Sequence, residues 1–274
     1  INFTGSVPTF IRLMKQTAQH IGLYMSYPRL IGECGGKNFH FVHPSADVVS
    51  VVHGTIRSAF EYNGQKCSAC SRMYIPESIW PKIKEGLLKI MKEIQMGSPL
   101  EKNSFVTAVI DDRAFKRIKS YIDYARTANN VEIIAGGKCD DSKGYFIEPT
   151  LIETLNPHDK LMKEELFGPV VAVHVYPDDL WKEEAEMAES TSPFGLTGSI
   201  FAEEEEAKEE LVDIFRHSAG NLYINNKSTG SVVGQQPFGG ARLSGVWPLC
   251  QSVTHSHTHT YMHACTHTHT CTHT

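Results

Sequence analysis

The sequence predicts an α/β protein with a largely parallel sheet and flanking helices. The first observation is that short apolar segments alternate with amphipathic segments of helical period along most of the chain. The second is composition, since 274 residues that are 41% hydrophobic and 21% charged are typical of a globular protein with a buried core.

The first elements predicted are a strand at residues 1–4, a glycine turn and a helix. Pro8 suits the first helical turn, and apolar residues recur at helical spacing from Phe10 to Ile21. The backbone amides of such a turn open onto a helix N-terminus, so residues 5–9 form a candidate phosphate site. The signal is weak by itself, because neither a G-x-G-x-x-G motif nor a complete P-loop is present.

The later elements follow from the same patterns. A short buried strand is predicted at residues 30–34, ending at Glu33, and a helix at residues 46–60 leads to Cys67. After these, the apolar spacing predicts strands at residues 73–75, 131–135, 170–176, 196–201 and 221–225, and helices at residues 78–94, 112–128, 182–190 and 203–217.

Charge and hydropathy argue against several kinds of partner. A net charge of −5 gives no reason to expect nucleic acid or an anionic membrane. No run of about 18 apolar residues occurs, so no membrane-spanning helix is predicted. The sequence starts at Ile1, within a strand-like segment, so we expect a longer parent chain with any targeting segment upstream.

The cysteines favour a reducing compartment. There are seven, an odd number scattered over a large chain, which argues against a disulfide framework. Cys67 and Cys70 form a C-x-x-C pair that could carry redox or metal chemistry. A zinc site would need a second pair nearby and a thioredoxin-like motif would need an early βαβ unit, and neither is present. We therefore predict no metal site here.

Cys67 is the candidate nucleophile, with Glu33 as its partner. Cys67 follows a glycine turn and Lys66, where a thiol is expected to face solvent with a lowered pKa. Glu33 precedes a pair of glycines that are expected to leave room for its side chain to move. A cysteine that forms an acyl intermediate and a glutamate that activates water are the pair that thioester hydrolysis requires.

Five motifs, taken in order, resemble the NAD(P)-dependent aldehyde dehydrogenase superfamily, and residues 1–245 are similar to its C-terminal half. They are FTGS at residues 3–6, ECGGKN at 33–38, GQKC at 64–67, EELFGP at 164–169 and PFGG at 237–240. Cys34, FHFVH at 39–43 and STGSVVGQQ at 228–236 resemble one branch in particular, the Δ1-pyrroline-5-carboxylate dehydrogenases of proline breakdown. The resemblance implies an aldehyde dehydrogenase-like catalytic domain with a partly parallel sheet and flanking helices.

The resemblance also implies the chemistry. Cys67 would attack L-glutamate γ-semialdehyde, hydride would pass to NAD, and water activated by Glu33 would release L-glutamate. The backbone N–H of Cys67 would supply half of the oxyanion site. The implied cofactor-binding residues are Gly5, Ser6, Val7, Pro8 and Thr9 at the pyrophosphate, Glu165 at the nicotinamide ribose and Phe167 near the nicotinamide.

The implied substrate pocket has a polar end and an aromatic wall. Ser231 and the Gly230 amide would anchor the α-carboxylate of the substrate, while Lys66, Ser68 and Phe238 would complete the pocket. The partner implied is thus a small aldehyde. The complete protein would form a homodimer or a higher homo-oligomer in the mitochondrial matrix.

Each of these assignments has an alternative. Cys67 could be a buried structural thiol, Glu33 an ordinary strand-end carboxylate, Glu165 a residue that caps or solvates a turn, and Phe238 a core residue. Cys67 could instead belong to a cysteine hydrolase. Its histidine would be His40, His43 or His53, but the local sequence lacks the aromatic residue of the papain pattern.

Three segments are predicted: residues 1–38 as a remnant of the NAD-binding domain, 39–245 as the catalytic domain, and 246–274 as a His/Thr tail outside the family. The remnant should expose an apolar edge prone to aggregation. We therefore expect the chain alone to bind NAD poorly and to oxidise no aldehyde at a useful rate. The alternatives are a non-catalytic product of splicing or gene modelling, or a dehydrogenase of another semialdehyde.

The tail at residues 246–274 differs in composition from the rest of the chain. Its 29 residues carry seven His and eight Thr but no Asp, Glu, Lys or Arg. With no apolar face to bury, it is expected to be disordered. A weak metal-binding tract is one alternative. A CA-dinucleotide repeat translated in frame also gives alternating His and Thr, and we favour this origin.

Overall fold

The computed structural model describes residues 1–232, 234–245, 252–255 and 260–261. Its strands are β1 (Asn2–Thr4), β2 (Ile31–Glu33), β3 (Asn38–Val42), β4 (Cys70–Pro76), β5 (Val131–Ala135), β6 (Cys139–Asp140), β7 (Phe146–Ile147), β8 (Thr150–Thr154), β9 (Val170–Tyr176), β10 (Phe194–Gly195), β11 (Thr197–Phe201), β12 (Asn221–Ile224), β13 (Ala241–Arg242), β14 (Ser252–His255) and β15 (Thr260–Tyr261). Its α-helices are α1 (Val7–Gln19), α2 (Val48–Phe60), α3 (Trp80–Glu93), α4 (Asp112–Thr127), α5 (Lys160–Lys163), α6 (Trp181–Ser190) and α7 (Glu205–Phe215).

One large mixed sheet organises the fold. Its nine strands lie in the order β15-β14-β12-β11-β3-β4-β9-β8-β5. Neighbours from β14 to β8 run parallel, whereas β15 and β5 pair antiparallel at the two edges. The predicted α/β fold with a partly parallel sheet is confirmed.

Helices cover both faces of this sheet. Helices α4, α5, α6 and α7 pack on one face, where Phe39, Tyr74 and Ile200 of the strands enter one apolar core. Helices α2 and α3 cover the other face, where Met73 and Val173 enter a second core. Strand side chains alternate between faces, so the same strands supply both cores.

The first 33 residues form a small unit beside the large sheet. Strands β1 and β2 pair in parallel, with Thr4 opposite Glu33, and helix α1 packs on them through the Phe3–Phe10 ring contact at 5.8 Å. Several of its apolar side chains are strongly exposed, including Leu23 (80%) and Tyr27 (87%). These side chains lie between α1 and β2, so the unit exposes apolar surface there, and the apolar sheet edge expected of residues 1–38 stays a prediction.

Most predicted elements occur within two or three residues of their expected bounds. Helix α2 begins at Val48 instead of residue 46, because the Asp47 carboxylate accepts a hydrogen bond from the Ser50 amide at 2.8 Å and so caps the helix. Strands β3 and β8 were not predicted. Every residue of β3 is buried, and its polar members, Asn38 and His40, hide the apolar pattern of a central strand.

Most of the tail at residues 246–274 lies outside the described residues. Within it the structure describes only β14, parallel to β12, and β15, antiparallel to β14. These six residues are strands where the sequence led us to expect disorder, since pairing at a sheet edge needs only backbone hydrogen bonds. The disorder and metal binding considered for the rest of the tail stay untested.

Candidate active site

Cys67 lies in a tight turn between α2 and β4. The chain reaches it through three consecutive left-handed residues, Tyr62, Asn63 and Gly64, with φ values of 56°, 59° and 63°. A Cβ on Gly64 would lie closer than 3.0 Å to the carbonyl oxygen of Gly168. Only glycine permits this approach, which packs the cysteine turn against the segment that carries Glu165.

The expected solvent-facing thiol with a lowered pKa is wrong. Cys67 is half-buried, and burial together with the negative charges of Glu165 and Glu33 raises the pKa of its thiol. Lys66 does not offset this, because its Nζ binds Glu61 Oε2 at 2.6 Å. The thiol therefore stays protonated at neutral pH and needs a base before it can act as a nucleophile.

Glu33 ends β2 in a partly buried position. Its Oε2 is buried with no hydrogen-bond partner within the described part of the chain. Burial raises the pKa of Glu33 above its ordinary value of 4.5, and a hydrogen bond from the Gly240 amide partly opposes that rise. A carboxylate with a raised pKa is a stronger base at neutral pH than an exposed one.

Glu165, not Glu33, occupies the space beside the glycine pair. Its Oε1 accepts a hydrogen bond from the Gly36 amide at 2.9 Å, and a Cβ on Gly35 would lie closer than 3.0 Å to its carboxylate. A Cβ on Gly36 would in turn meet the carbonyl oxygen of Cys67. The expectation that these glycines leave room for Glu33 to move is thus wrong, because Glu165 and the cysteine turn fill that room.

Residues 5–9 lie where β1 turns into α1, next to the strand that carries Glu33. The Gly5 amide donates to the Glu33 carbonyl oxygen at 3.0 Å. Ser6 is the N-cap residue, but its side chain makes no capping hydrogen bond and instead contacts Thr9 Oγ1 at 3.0 Å. The first turn of a 13-residue helix is therefore left uncapped by side chains beside the site.

The predicted aromatic residues are both accessible. Phe167 is 37% exposed with a left-handed φ of 53°, and Phe238 is 39% exposed. Phe238 belongs to the segment 237–240, whose Gly240 amide reaches Glu33, and the Pro237 carbonyl oxygen accepts from Asn221 Nδ2 at 2.9 Å. Neither ring is in the core, so the core alternative for Phe238 is not supported.

The predicted substrate-anchoring residues follow β12. Ser231 is partly buried, and it lies beside Tyr223, whose pKa is raised to about 12 mainly by burial. The Tyr223 ring also lies against Gly230, where a Cβ would come within 3.1 Å of it. The same loop reaches the cysteine turn, because Ser228 Oγ donates to the Ser68 carbonyl oxygen at 3.1 Å.

Two residues of the site were missed from the sequence, although both lie in the quoted ECGGKN motif. Asn38 is 2% exposed and hydrogen-bonds the backbone of the cysteine turn. Lys37 is also 2% exposed, its Nζ has no hydrogen-bond partner among the described residues, and burial lowers its pKa to about 7. The signal available in the sequence was a lysine and an asparagine directly after a glycine pair, within a motif that also contains Glu33.

No histidine of the cysteine hydrolase alternative bonds Cys67 within the described part of the chain. The Nδ1 atom of His40 pairs with Thr55 Oγ1 at 3.1 Å, and that of His43 pairs with Ser45 Oγ at 2.8 Å. His53 lines a separate cavity of about 410 Å³ between the ends of α2 and α3. These positions give no support to a cysteine–histidine pair.

The C-x-x-C alternative is also unsupported. Cys67 and Cys70 are both free thiols, and the buried Cys70 sulfur contacts the Arg72 carbonyl oxygen at 3.5 Å. Residues 1–232 and the other described segments contain no cluster of three or more metal-ligating side chains. None of the helices described is long and apolar enough to cross a membrane.

The fold and the site together define a class of protein: an α/β fold that places a cysteine near two carboxylates, beside an uncapped helix N-terminus. The aldehyde dehydrogenase family model matches residues 1–266. The chain therefore belongs to the aldehyde dehydrogenase family, and the resemblance drawn from its motifs is confirmed.

Two relatives within the family are Δ1-pyrroline-5-carboxylate dehydrogenases. The mitochondrial Δ1-pyrroline-5-carboxylate dehydrogenase of Danio rerio is 60% identical over 246 residues, which is 89% of this chain and 44% of the relative. That of Homo sapiens is 58% identical over the same shares. The chain thus spans less than half of the length of these relatives.

Solved structures agree in fold. A Δ-pyrroline-5-carboxylate dehydrogenase from Mycobacterium tuberculosis bound with NAD has a TM-score of 0.82 at 42% identity, covering 88% of this chain and 44% of that one. A mutant of the Thermus thermophilus 1-pyrroline-5-carboxylate dehydrogenase also gives a TM-score of 0.82, at 34% identity, covering 90% of this chain and 46% of that one.

Proposed function

We propose that the protein containing this chain oxidises L-glutamate γ-semialdehyde, formed from Δ1-pyrroline-5-carboxylate, to L-glutamate with NAD. The observation that carries the proposal is that Glu165 and the Cys67 turn meet at the Gly35–Gly36 pair, with Glu33 near enough for its charge to raise the pKa of Cys67. The names of the relatives support the substrate, and the mitochondrial ones support the mitochondrial matrix as its compartment.

The chain's own groups fit part of a dinucleotide. In the segment 5–9 at the start of α1, the backbone amides of Ser6 and Val7 are suited to a pyrophosphate, whereas the Gly5 and Thr9 amides are hydrogen-bonded within the chain. Glu165 is fixed by the Gly36 amide through one oxygen, which leaves acceptor capacity for ribose hydroxyls, and the exposed Phe167 ring would lie near the nicotinamide. NAD, when bound, supplies the hydride acceptor.

The acyl chemistry needs a nucleophile and a base. Cys67 transfers its thiol proton to solvent water, and its sulfur forms a bond to the aldehyde carbon. The oxygen of that adduct would be stabilised by the Cys67 N–H. After hydride departs from this carbon, a thioester remains. Glu33 takes a proton from water as the water oxygen bonds to the thioester carbon, and the C–S bond then breaks to release the carboxylate product.

The substrate would extend from Cys67 towards the loop after β12. Ser231 and the Gly230 amide would bind the α-carboxylate, with Phe238, Lys66 and Ser68 along the aliphatic stem. The Tyr223 ring lies against Gly230 and so supports the loop that carries Ser231.

The domain division follows as part of the same proposal. Residues 1–38 would belong to the NAD-binding domain, residues 39–245 would form the catalytic domain, and residues 246–274 would follow it as the His/Thr tail. The complete protein would be a homodimer or a larger homo-oligomer. NAD binding would then require the dinucleotide-binding residues that the longer relatives supply.

The test uses the protein extended to the length of its relatives, with NADH absorbance as the readout. Purified protein is assayed with L-glutamate γ-semialdehyde, succinate semialdehyde and propanal at equal concentrations. The proposal expects kcat/KM to be highest for glutamate semialdehyde, and Ser231→Ala to raise KM for this substrate by about tenfold, the loss of a charge-assisted hydrogen bond. Equal kcat/KM for all three aldehydes would refute the proposed substrate.

A further inference from the structure

We propose that Asn38 is a positioning residue that fixes the backbone of the nucleophile turn, residues 66–69, and thereby the orientation of the Cys67 side chain and N–H. The catalytic consequence of this inference rests on the proposed function. The contacts from which it is argued are independent of that function. Asn38 bonds the backbone of the turn and not the thiol, so its effect passes through that backbone.

The Asn38 side chain is committed to this turn. It is 2% exposed, and its Nδ2 donates to the carbonyl oxygens of Cys67 at 2.6 Å and of Ala69 at 2.8 Å. Its Oδ1 accepts from the Thr197 amide at 2.9 Å. Both N–H groups of the Asn38 side chain therefore donate to carbonyl oxygens of the turn, while its Oδ1 accepts from the backbone of β11.

These bonds hold both peptide planes that flank the Cys67 Cα. The plane before it carries the Lys66 carbonyl, which accepts from the Ala69 amide at 3.0 Å, and also the Cys67 N–H. The plane after it carries the Cys67 carbonyl, which Asn38 holds. With both planes fixed, φ and ψ of Cys67 are fixed, and so is the direction of its Cα–Cβ bond.

The remaining carbonyl of the turn is held in the same manner. The Ser68 oxygen accepts from Thr197 Oγ1 at 3.2 Å and from Ser228 Oγ at 3.1 Å. Ser228 is itself tied to Ser58 Oγ of α2 at 2.6 Å. The carbonyls of residues 66–69 are thus all hydrogen-bonded, those of Cys67 and Ala69 by Asn38.

The glycine before Lys37 and Asn38 makes this reach possible. A Cβ on Gly36 would lie closer than 3.0 Å both to the Cys67 carbonyl oxygen and to Asn38 Oδ1. The turn therefore packs directly on the backbone of the glycine pair, and the side chain two residues later closes over it. The same glycine donates its amide to Glu165. Asn38 thus fixes the nucleophile relative to the carboxylate proposed to hold the cofactor.

The decisive variant is Asn38→Asp, which keeps the shape of the side chain but faces two carbonyls with oxygens that cannot donate. The matched control is Asn225→Asp. Asn225 also binds a backbone through its amide, donating to the Ala202 oxygen and accepting from the Ala202 amide, both at 2.9 Å. It follows the carboxyl end of β12, whereas Asn38 begins β3. Because β12, β11 and β3 run parallel, the two asparagines lie at opposite ends of the strands.

The first measurement is hydrogen exchange of the peptide covering residues 65–70 in the 274-residue chain, which needs no activity. Asn38→Asp should speed exchange of the Ala69 amide about tenfold, as the loss of two hydrogen bonds to the turn allows, and Asn225→Asp should leave it unchanged. An unchanged rate in folded Asn38→Asp protein would overturn the proposal. If that variant does not fold, Ser228→Ala should give about a threefold increase, and no increase there would also overturn it.

The second measurement is steady-state kinetics in the protein of full length. Asn38→Asp should lower kcat about 10²-fold while KM for the aldehyde stays within about threefold, because a misplaced nucleophile slows chemistry more than binding. Asn225→Asp should change neither constant. An unchanged kcat, or an equal loss in both variants, would contradict a positioning role. An inactive wild-type protein would refute the proposed function alone, and hydrogen exchange would still decide this inference.

Discussion

Glu165 Oε1 accepts a hydrogen bond from the Gly36 amide at 2.9 Å, which places a carboxylate directly beside the turn of the candidate nucleophile. Burial raises the pKa of the Cys67 thiol, and the negative charges of Glu165 and Glu33 raise it further. In the chain without ligand, the Cys67 thiol therefore stays protonated at neutral pH. It must lose its proton before the sulfur can attack.

Alkylation of Cys67 tests whether the Glu165 charge raises the pKa of its thiol. In the 274-residue chain, the rate of Cys67 modification by iodoacetamide should rise about tenfold per pH unit from about pH 7 to pH 9 without reaching a plateau, since a raised pKa keeps the thiol protonated there. Glu165→Gln should lower that pKa and speed the reaction at about pH 7.5 by about three- to tenfold. Peptide mass spectrometry follows each cysteine, with Cys139 as internal reference. A plateau below about pH 8 would contradict the raised pKa.

The close approach at Gly36 predicts a loss of stability. Gly36→Ala should lower the free energy of unfolding by about 1–3 kcal/mol, because its Cβ would clash with the Cys67 carbonyl oxygen and with Asn38. Gly22→Ala is the control, since a Cβ there meets no atom within 4 Å. Urea unfolding followed by circular dichroism measures both variants. Equal stability of the two would show that the turn does not pack on Gly36.

The lowered pKa of buried Lys37 predicts that the stability of the chain depends on pH. Burial and the charge of Arg72 lower the pKa of folded Lys37 to about 7 from its ordinary 10.5. Between these values the unfolded chain binds the extra proton, so stability should rise with pH by up to about 1.4 kcal/mol per unit. Lys37→Met should lose this slope between about pH 7 and 8.5, and Lys102→Met, an exposed control, should keep it. Parallel urea midpoints for wild type and Lys37→Met would contradict the lowered pKa.

The exposed apolar residues after α1 predict self-association. Leu23, Met25 and Tyr27, at alternate positions of one segment in the small N-terminal unit, are 80%, 106% and 87% exposed. Replacing all three by serine should reduce light scattering of the 274-residue chain at about 37 °C several-fold. Leu100→Ser removes an equally exposed side chain (94%) from a distant loop and should change nothing. If both variants scatter like the wild type, this surface does not drive aggregation.

The sequence predicted the sheet and most helices because apolar spacing is a local property. Strand β9 and strand β5 have their predicted bounds. Strand β3 was missed because a central strand is buried on both faces, and its buried Asn38 and His40 depend on partners far away in sequence. Such partners are visible only in the folded chain.

The same distinction applies to the site. The motifs brought Cys67, Glu33 and Glu165 to attention as residue types, but the thiol pKa was predicted with the wrong sign. The raised pKa comes first from burial and then from the charge of Glu165, which is distant in sequence, and Lys66 does not offset it because its Nζ binds Glu61. The hydrogen bonds from Asn38 to the nucleophile turn likewise join two separate segments of the chain, and no local sequence pattern predicts them.

The central claim is that Cys67 is the nucleophile that carries the acyl group. The most direct measurement is NADH formation from L-glutamate γ-semialdehyde by the protein of full length, comparing wild type with Cys67→Ser and with Cys70→Ser as the matched thiol control. The account predicts that Cys67→Ser lowers kcat by at least about 10³-fold while Cys70→Ser keeps most of the activity. Turnover by Cys67→Ser at the wild-type rate would contradict it.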